Sequence, residues 1–255
     1  MHILVTNDDG VSAPGLMALA NAMKPLGKVT ILAPDRNWSA SGHVKTLERP
    51  LRVRETILED GTPAFSTDGA PSDCVTLAVL GFFPEKIDLV VSGINPNANI
   101  GHDVTYSGTV TSAMEAAISG VQGIAVSMDR PEDRHASIDY STAAQVAAQV
   151  VENWTRNGFS PEIVLNVNVP YLPFEEIKGY EITRMGLRIY RDELVRRLDP
   201  RERPYYWIGG ESPTGMREDG TDYGALKDGR VSITPIQLDL TAYRSMETLQ
   251  AWQWA

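Results

Sequence analysis

Cysteine is almost missing from this chain: Cys74 is the only one in 255 residues. That excludes an intrachain disulfide and a thiolate metal cluster, and it fits a reducing, cytoplasmic setting. Long apolar runs are missing too. None approaches the roughly 20 residues that a membrane-spanning helix needs, so no membrane partner is expected. The opening Met1-His2-Ile3-Leu4-Val5 enters a strand pattern at once and lacks the basic and apolar regions of a secretory signal. Positive charge is the scarcer sign, with 23 Lys and Arg against 33 Asp and Glu and a formal net charge of −10. An acidic chain repels polyanions, which argues against a nucleic-acid polymer as partner. A small phosphorylated molecule stays open, because a metal ion or a helix N-terminus supplies a local positive centre. His2, His43, His102 and His135 show no paired spacing for zinc. The phosphate loop G-x-x-x-x-G-K-[ST], the dinucleotide fingerprint G-x-G-x-x-G and the nucleophile elbow G-x-S-x-G are all absent.

What is present is alternation. Residues 2–6 read as a buried strand ending in Asn7-Asp8-Asp9-Gly10. A helix is predicted from about Pro14, with Leu16, Leu19, Ala20 and Met23 on one face, closed by Pro25 and Gly27. Residues 29–33 form a second strand, and 71–80 a helix stopped by Gly81. Residues 88–92 form a third strand, ending in Gly93-Ile94-Asn95. Val110, Ala113, Met114, Ala117 and Ile118 give the clearest helix period in the chain. A strand over 123–128, a helix over 137–154 and a strand over 163–169 follow. Such an order predicts a three-layer α/β/α core, Rossmann-like and mostly parallel, over residues 1–170. Beyond Pro170 the period is lost. Residues 180–208 read as short polar strands rich in Arg and Tyr, 209–220 as a Gly/Pro/Ser loop, and 221–255 as a short helix, a strand over 230–235 and a C-terminal segment with Trp252 and Trp254. Residues 171–255 are therefore expected to form a β-rich extension of the same structural unit, packed on a partner subunit or on the chain itself.

Asp8 and Asp9 are adjacent carboxylates just past a strand end, where an open parallel sheet binds its ligands. Two such groups repel each other unless a cation lies beside them, although an Asp-Gly turn in solvent is an equal reading of the pair alone. The other strands lead into similar polar loops, Asp35-Arg36-Asn37-Trp38-Ser39-Ala40-Ser41-Gly42 and Asn95-Pro96-Asn97-Ala98-Asn99-Ile100-Gly101. All three would meet on one sheet edge. Carboxylate, hydroxyl and amide oxygens suit a hard cation such as Mg²⁺ or Mn²⁺. Ser107-Gly108-Thr109 opens the strongest helix, where backbone N–H groups can hold a phosphate or where Ser107 serves as an ordinary cap.

These loops, together with Gly69-Ala70-Pro71-Ser72-Asp73-Cys74-Val75, Tyr106-Ser107-Gly108-Thr109-Val110, Thr221-Asp222-Tyr223 and Gly229-Arg230-Val231-Ser232-Ile233-Thr234-Pro235, run in order along nearly the whole chain. In this they resemble the SurE family, survival-protein acid phosphatases that act as 5′-nucleotidases. The resemblance implies one divalent cation per subunit, held by Asp8, Asp9, Ser39 and Asn95, with Asp8 and Asp9 catalytic. It also implies phosphate contacts from Asn95, Ser107, Gly108 and Thr109, a nucleoside monophosphate substrate, and a homodimer or homotetramer built through the C-terminal extension. Asp103 or a second water is a candidate proton donor to the leaving oxygen. An exopolyphosphatase, a phosphatase of small sugar phosphates and a non-catalytic nucleotide-binding module are the alternative readings of the same site. The chain departs from the family pattern at Asn97, where Gly is usual, and at Ala70, where Thr is usual.

Overall fold

The computed structural model describes residues 1–130, 137–210 and 213–254; His135 and part of the predicted 209–220 loop lie outside these. Strand β1 (His2–Thr6) is buried along its whole length, which requires cover on both faces of the sheet. Its side chains alternate accordingly: Ile3 and Val5 join one apolar cluster and Leu4 the opposite one. Helix α1 (Pro14–Met23) follows with Pro in its first turn and buries Leu16, Leu19, Ala20 and Met23. Then come β2 (Lys28–Pro34), β3 (Val53–Ile57), β4 (Pro63–Thr67), α2 (Pro71–Leu77) and β5 (Leu89–Asn95). Helix α3 (Gly108–Ile118), β6 (Gln122–Asp129), α4 (Ser141–Asn157) and β7 (Ile163–Pro170) complete the alternation. Leu16, Leu19 and Met23 of α1 share a cluster with Val146, Val150 and Val151 of α4, while Cys74 and Val75 of α2 meet Ala116 of α3 on the opposite face of the sheet. The three layers expected from the alternation are thus observed. Cys74 is fully buried, and burial raises its thiol pKa, so its role is packing.

The remaining elements are β8 (Tyr180–Ile182), β9 (Arg188–Ile189), β10 (Asp192–Leu198), β11 (Pro204–Gly210), β12 (Thr214–Gly215), α5 (Asp222–Lys227), β13 (Val231–Gln237) and α6 (Tyr243–Gln250). Among the described residues the main sheet has nine strands, in the order β3-β4-β2-β1-β5-β6-β7-β13-β8. Its centre is parallel; β3 runs antiparallel to β4, and β13 antiparallel to β7. From β1 the chain first builds outward through β2 and then crosses to β5 on the other side. The switch point of the sheet therefore lies between β1 and β5, and a crevice opens there beyond their carboxyl ends.

Several boundaries differ from the sequence-based expectation. The helix expected over 71–80 is α-helical to Leu77 and then widens into a π-type turn over Ala78–Phe82, where Gly81 takes a φ of 103°. The helix expected from 137 begins at Ser141. Strands β3 and β4 carry no expectation at all, because β3 is a mostly exposed edge strand with no apolar alternation. Beyond Pro170, β13 and β8 extend the main sheet, whereas β10 and β11 pair with each other in a ribbon of their own.

Helix α3 lies so close to β6 that an added Cβ at Gly123 would stand 2.1 Å from the backbone oxygen of Ala113. Gly123→Ala must therefore push the helix off the sheet. A loss of about 1–3 kcal/mol is expected for such overpacking, measured by urea unfolding. A variant as stable as the parent would contradict this contact.

Candidate active site

Asn7 shapes the turn that carries the acidic pair. Its side chain is buried, accepts from the Gly10 amide at 3.2 Å and donates to the Gly10 carbonyl at 3.0 Å. The turn brings Asp8 against the amino end of α3. Asp8 is 3% exposed, and its Oδ1 accepts from the Thr109 hydroxyl at 2.6 Å. Backbone amides of Gly108 and Thr109 also favour its charged form. Ser107 is the N-cap of α3, its Oγ accepting from the Val110 amide at 3.1 Å. The hydroxyls of Ser107 and Thr109 are thus engaged within the protein, and the N–H groups of Gly108 and Thr109 face Asp8.

The loop after β2 closes over the same edge. The Trp38 amide donates to the Asp8 carbonyl at 2.7 Å, and Asn37 Nδ2 lies 3.4 Å from Asp9 Oδ1. Ser39 is exposed and is anchored through its amide, which donates to Asn37 Oδ1 at 2.7 Å. Farther along, the Gly42 amide donates to the Tyr106 carbonyl, and Thr111 donates to the Gly42 carbonyl. Asn95 stands at the carboxyl end of β5, across the switch point from Asp8. Its Nδ2 donates to the Asn97 carbonyl at 2.5 Å, so the unusual Pro96-Asn97 step holds the Asn95 side chain through its main chain. Ala70 lacks the capping oxygen of a Thr, and Asp73 Oδ2 instead accepts from the Ala70 amide at 2.8 Å. Asp103 is engaged by Arg188, whose Nε donates to it at 2.9 Å. Burial, opposed by Arg188, raises its pKa.

Four groups were not singled out as site residues from the sequence. Arg130 and Tyr140 lie within electrostatic reach of Asp9 and of each other, although they enter from the strand and helix that flank the next loop. Nothing local in their segments marks them. Asn166 and Asn168 did carry a signal: two polar residues at strand spacing in an otherwise apolar run. Both are buried and donate to the Asn99 carbonyl, while Asn168 Oδ1 accepts from the Asn99 amide at 2.8 Å. Asn99 Nδ2 in turn donates to Ser127 Oγ at 2.9 Å. This ladder fixes the loop that follows Asn95.

Both acidic residues hold their protons more tightly than usual. Burial raises the Asp8 pKa against the opposing hydrogen bond from Thr109. Burial, then the charge of Asp8, pushes Asp9 up to about 6, with Arg130 pulling the other way. Burial and the charge of Asp9 push Tyr140 up to about 12. Among the described residues, no three or more His, Cys, Asp or Glu side chains gather in a way that could hold a metal. A cation at this edge would find two carboxylates and otherwise neutral oxygens. The fit is good, since two mutually repelling carboxylates, Asp8 buried and Asp9 partly buried, lack the positive charge that a hard divalent ion brings.

An open, mostly parallel sheet with paired carboxylates at its switch point, facing a helix N-terminus, defines an α/β protein with an acidic site suited to a cation and an anion together. The chain belongs to the SurE family: the family model described as survival protein SurE matches residues 3–192. It is 50% identical over 254 residues to the 5′-nucleotidase SurE of Chloroflexus aggregans, covering 100% of both chains. It is also 50% identical to that of Herpetosiphon aurantiacus, covering 100% of this chain and 99% of the other. The crystal structure of the SurE protein from Aquifex aeolicus superposes with a TM-score of 0.84 at 41% identity, covering 98% of each chain.

A carboxylate whose folded pKa lies above its ordinary value of 3.8 favours the metal-free fold most below that value, and this contribution is lost as pH rises to about 6. In EDTA at pH 7, Asp9→Asn should therefore be more stable than the parent by on the order of 1–2 kcal/mol, allowing for solvent screening. The difference should close as pH falls towards 4. Thermal unfolding across that range tests it, and a parent more stable than the variant at pH 7 in EDTA would refute it.

Proposed function

We propose that this chain is a 5′-nucleotidase that hydrolyses nucleoside 5′-monophosphates to nucleoside and phosphate with one divalent cation, Mg²⁺ or Mn²⁺, per subunit. One observation carries the reading: Asp8 meets the amino end of α3 at the switch point of the sheet with Asp9 beside it, in a chain half identical from end to end to proteins named 5′-nucleotidase SurE. Asp8, Asp9, Ser39 and Asn95 are the residues that would hold the cation, each through oxygen. When bound, the cation neutralises charge on the phosphoryl oxygens and acidifies a water.

The rest falls to the chain itself. The N–H groups at the start of α3, around Ser107, Gly108 and Thr109, orient the phosphoryl oxygens with the positive end of the helix dipole, and Asn95 contacts the same group. Asp8 is kept in place by Thr109, so it does not have to reorganise when charge builds on phosphorus, and Asp9 lies 3.4 Å from the exposed Asn37 amide. Burial of Asp8 against α3 keeps bulk water from weakening its contact with Thr109.

The single buried Cys74 supports a cytoplasmic location, and no helix among the described residues is long and apolar enough to cross a membrane. The proposed assembly is a homodimer or homotetramer through the C-terminal extension. Leu194, Trp207 and Ile208 of the ribbon and Tyr243, Met246 and Leu249 of α6 are all exposed, an apolar surface that a second copy would cover.

Phosphate release from adenosine 5′-monophosphate should be lost in EDTA and restored by Mg²⁺ or Mn²⁺; full activity after exhaustive chelation would refute the metal. Asp8→Asn and Asp9→Asn should each reduce turnover by about 100-fold or more at limiting metal while the fold persists. Parent-like activity there would remove both residues from the site. Light scattering should show an oligomer that truncation after Leu238 disrupts, and a monomeric parent would overturn the assembly.

A further inference from the structure

A polar hollow of roughly 660 Å³ opens beside the acidic pair, walled by Asn97, Arg130, Tyr171, Lys178, Arg188 and Lys227. Four cations line it against one carboxylate, Asp129, in a chain whose net charge is −10. Two of the four are already matched: Arg188 donates to Asp103 at 2.9 Å, and Lys227 lies 3.4 Å from Asp129. Arg130 and Lys178 form no ion pair among the described residues. The hollow shares its wall with the active site, since Arg130 faces both the cavity and Asp9, and the Asn97 carbonyl holds the Asn95 side chain.

The aromatic groups present do not make a stacking slot. Tyr223 also lines the hollow, but Lys227 covers its ring at 5.2 Å and the Gly215 backbone packs against it. The Tyr171 ring packs on the apolar core, and its hydroxyl accepts from the Asp139 amide at 3.0 Å. What the cavity offers is positive charge on long side chains that can reach an anion.

We propose that this hollow is a second anion subsite, which takes a phosphate carried on the leaving side of the substrate and makes a nucleoside 3′,5′-bisphosphate a better substrate than a nucleoside 5′-monophosphate. The inference rests on the phosphomonoesterase reading above. Water adds its oxygen to the 5′ phosphorus, the bond from phosphorus to the 5′ sugar oxygen breaks, and that oxygen leaves with a proton from water. The 3′ phosphate is held and unchanged, and the products are a nucleoside 3′-monophosphate and inorganic phosphate. Arg130 lies where the two groups meet; Lys178 and Lys227 reach the held phosphate from the far wall.

The test compares adenosine 3′,5′-bisphosphate with adenosine 5′-monophosphate, on the parent and on a Lys178→Ala, Lys227→Ala double variant. Both lysines are exposed, so the variant should fold, and circular dichroism checks that it does. The parent should show kcat/KM about tenfold higher for the bisphosphate, and the ratio should fall to near one in the variant. Calorimetric titration of the metal-free protein with the same two ligands should show the same tenfold preference in the parent and its loss in the variant. Equal kcat/KM and equal affinity for the two ligands would overturn the subsite while leaving monophosphate hydrolysis, and so the proposed function, standing. If neither compound is hydrolysed, the proposed function falls, and the calorimetric comparison alone decides the subsite.

Discussion

The bond between Asp8 and Thr109 is the contact on which the active edge depends. A buried carboxylate is costly unless it is hydrogen-bonded or paired, and here the compensation comes from the first turn of a helix. The Thr109 hydroxyl reaches Asp8 at 2.6 Å, and the neighbouring amides add to it. An added Cβ on Gly108 would stand 2.6 Å from the Asp8 Cβ, so only glycine lets the helix come this close. Because the Asp8 carbonyl also accepts from Trp38, one residue ties together the loop after β1, the loop after β2 and the start of α3. The compensation is incomplete, which is why both carboxylates of the pair resist ionisation and why a cation suits the place.

Buried polar networks hold the surrounding loops. Glu115, in the middle of α3, accepts from Lys45 and Thr76 and pairs with His43; the hydrogen bond from His43 is the largest cause that holds its carboxyl down at about 2. This clamps the stretch just past Ser39 to the helix whose first turn faces Asp8. On the other side the Asn99 ladder fixes the loop after Asn95 to β6 and β7. Apart from Asn166 Oδ1, which is buried without a hydrogen-bond partner, the buried polar side-chain atoms of the Asn99 ladder are paired, and displacing them would leave buried groups unpaired. The loops around the acidic pair are therefore ordered by the same sheet that places it.

The C-terminal part of the chain is bound into this arrangement. Asp222, fully buried at the start of α5, accepts from the Gly101 amide at 2.7 Å and from the Gly186 amide at 2.8 Å. Arg188 adds its bond to Asp103. The extension thereby braces the loop that follows Asn95 and supplies one wall of the basic hollow. Its ribbon and last helix leave their apolar side chains exposed, whereas β13 is buried beside β7.

The sequence alone determined the central alternation of strands and helices, the position of Asp8-Asp9 at a strand end and the start of α3 at Ser107. Each is a local property: a side-chain period shows which residues face a core, and a cap or a glycine marks where a helix begins or ends. Tertiary structure decided what is separated along the chain. Thr109 finds Asp8 across 101 residues, and Asn166 and Asn168 find Asn99 across 67 and 69. Arg130 and Tyr140 come within reach of Asp9 only because β6 lies on the same side of the switch point as β5. The edge strand β3 escaped notice because an exposed strand needs no apolar alternation, and the place of β13 because periodicity states which face is buried but not which neighbour buries it. Pairing partners are chosen by the packing of the whole sheet, and no short window of residues contains that information.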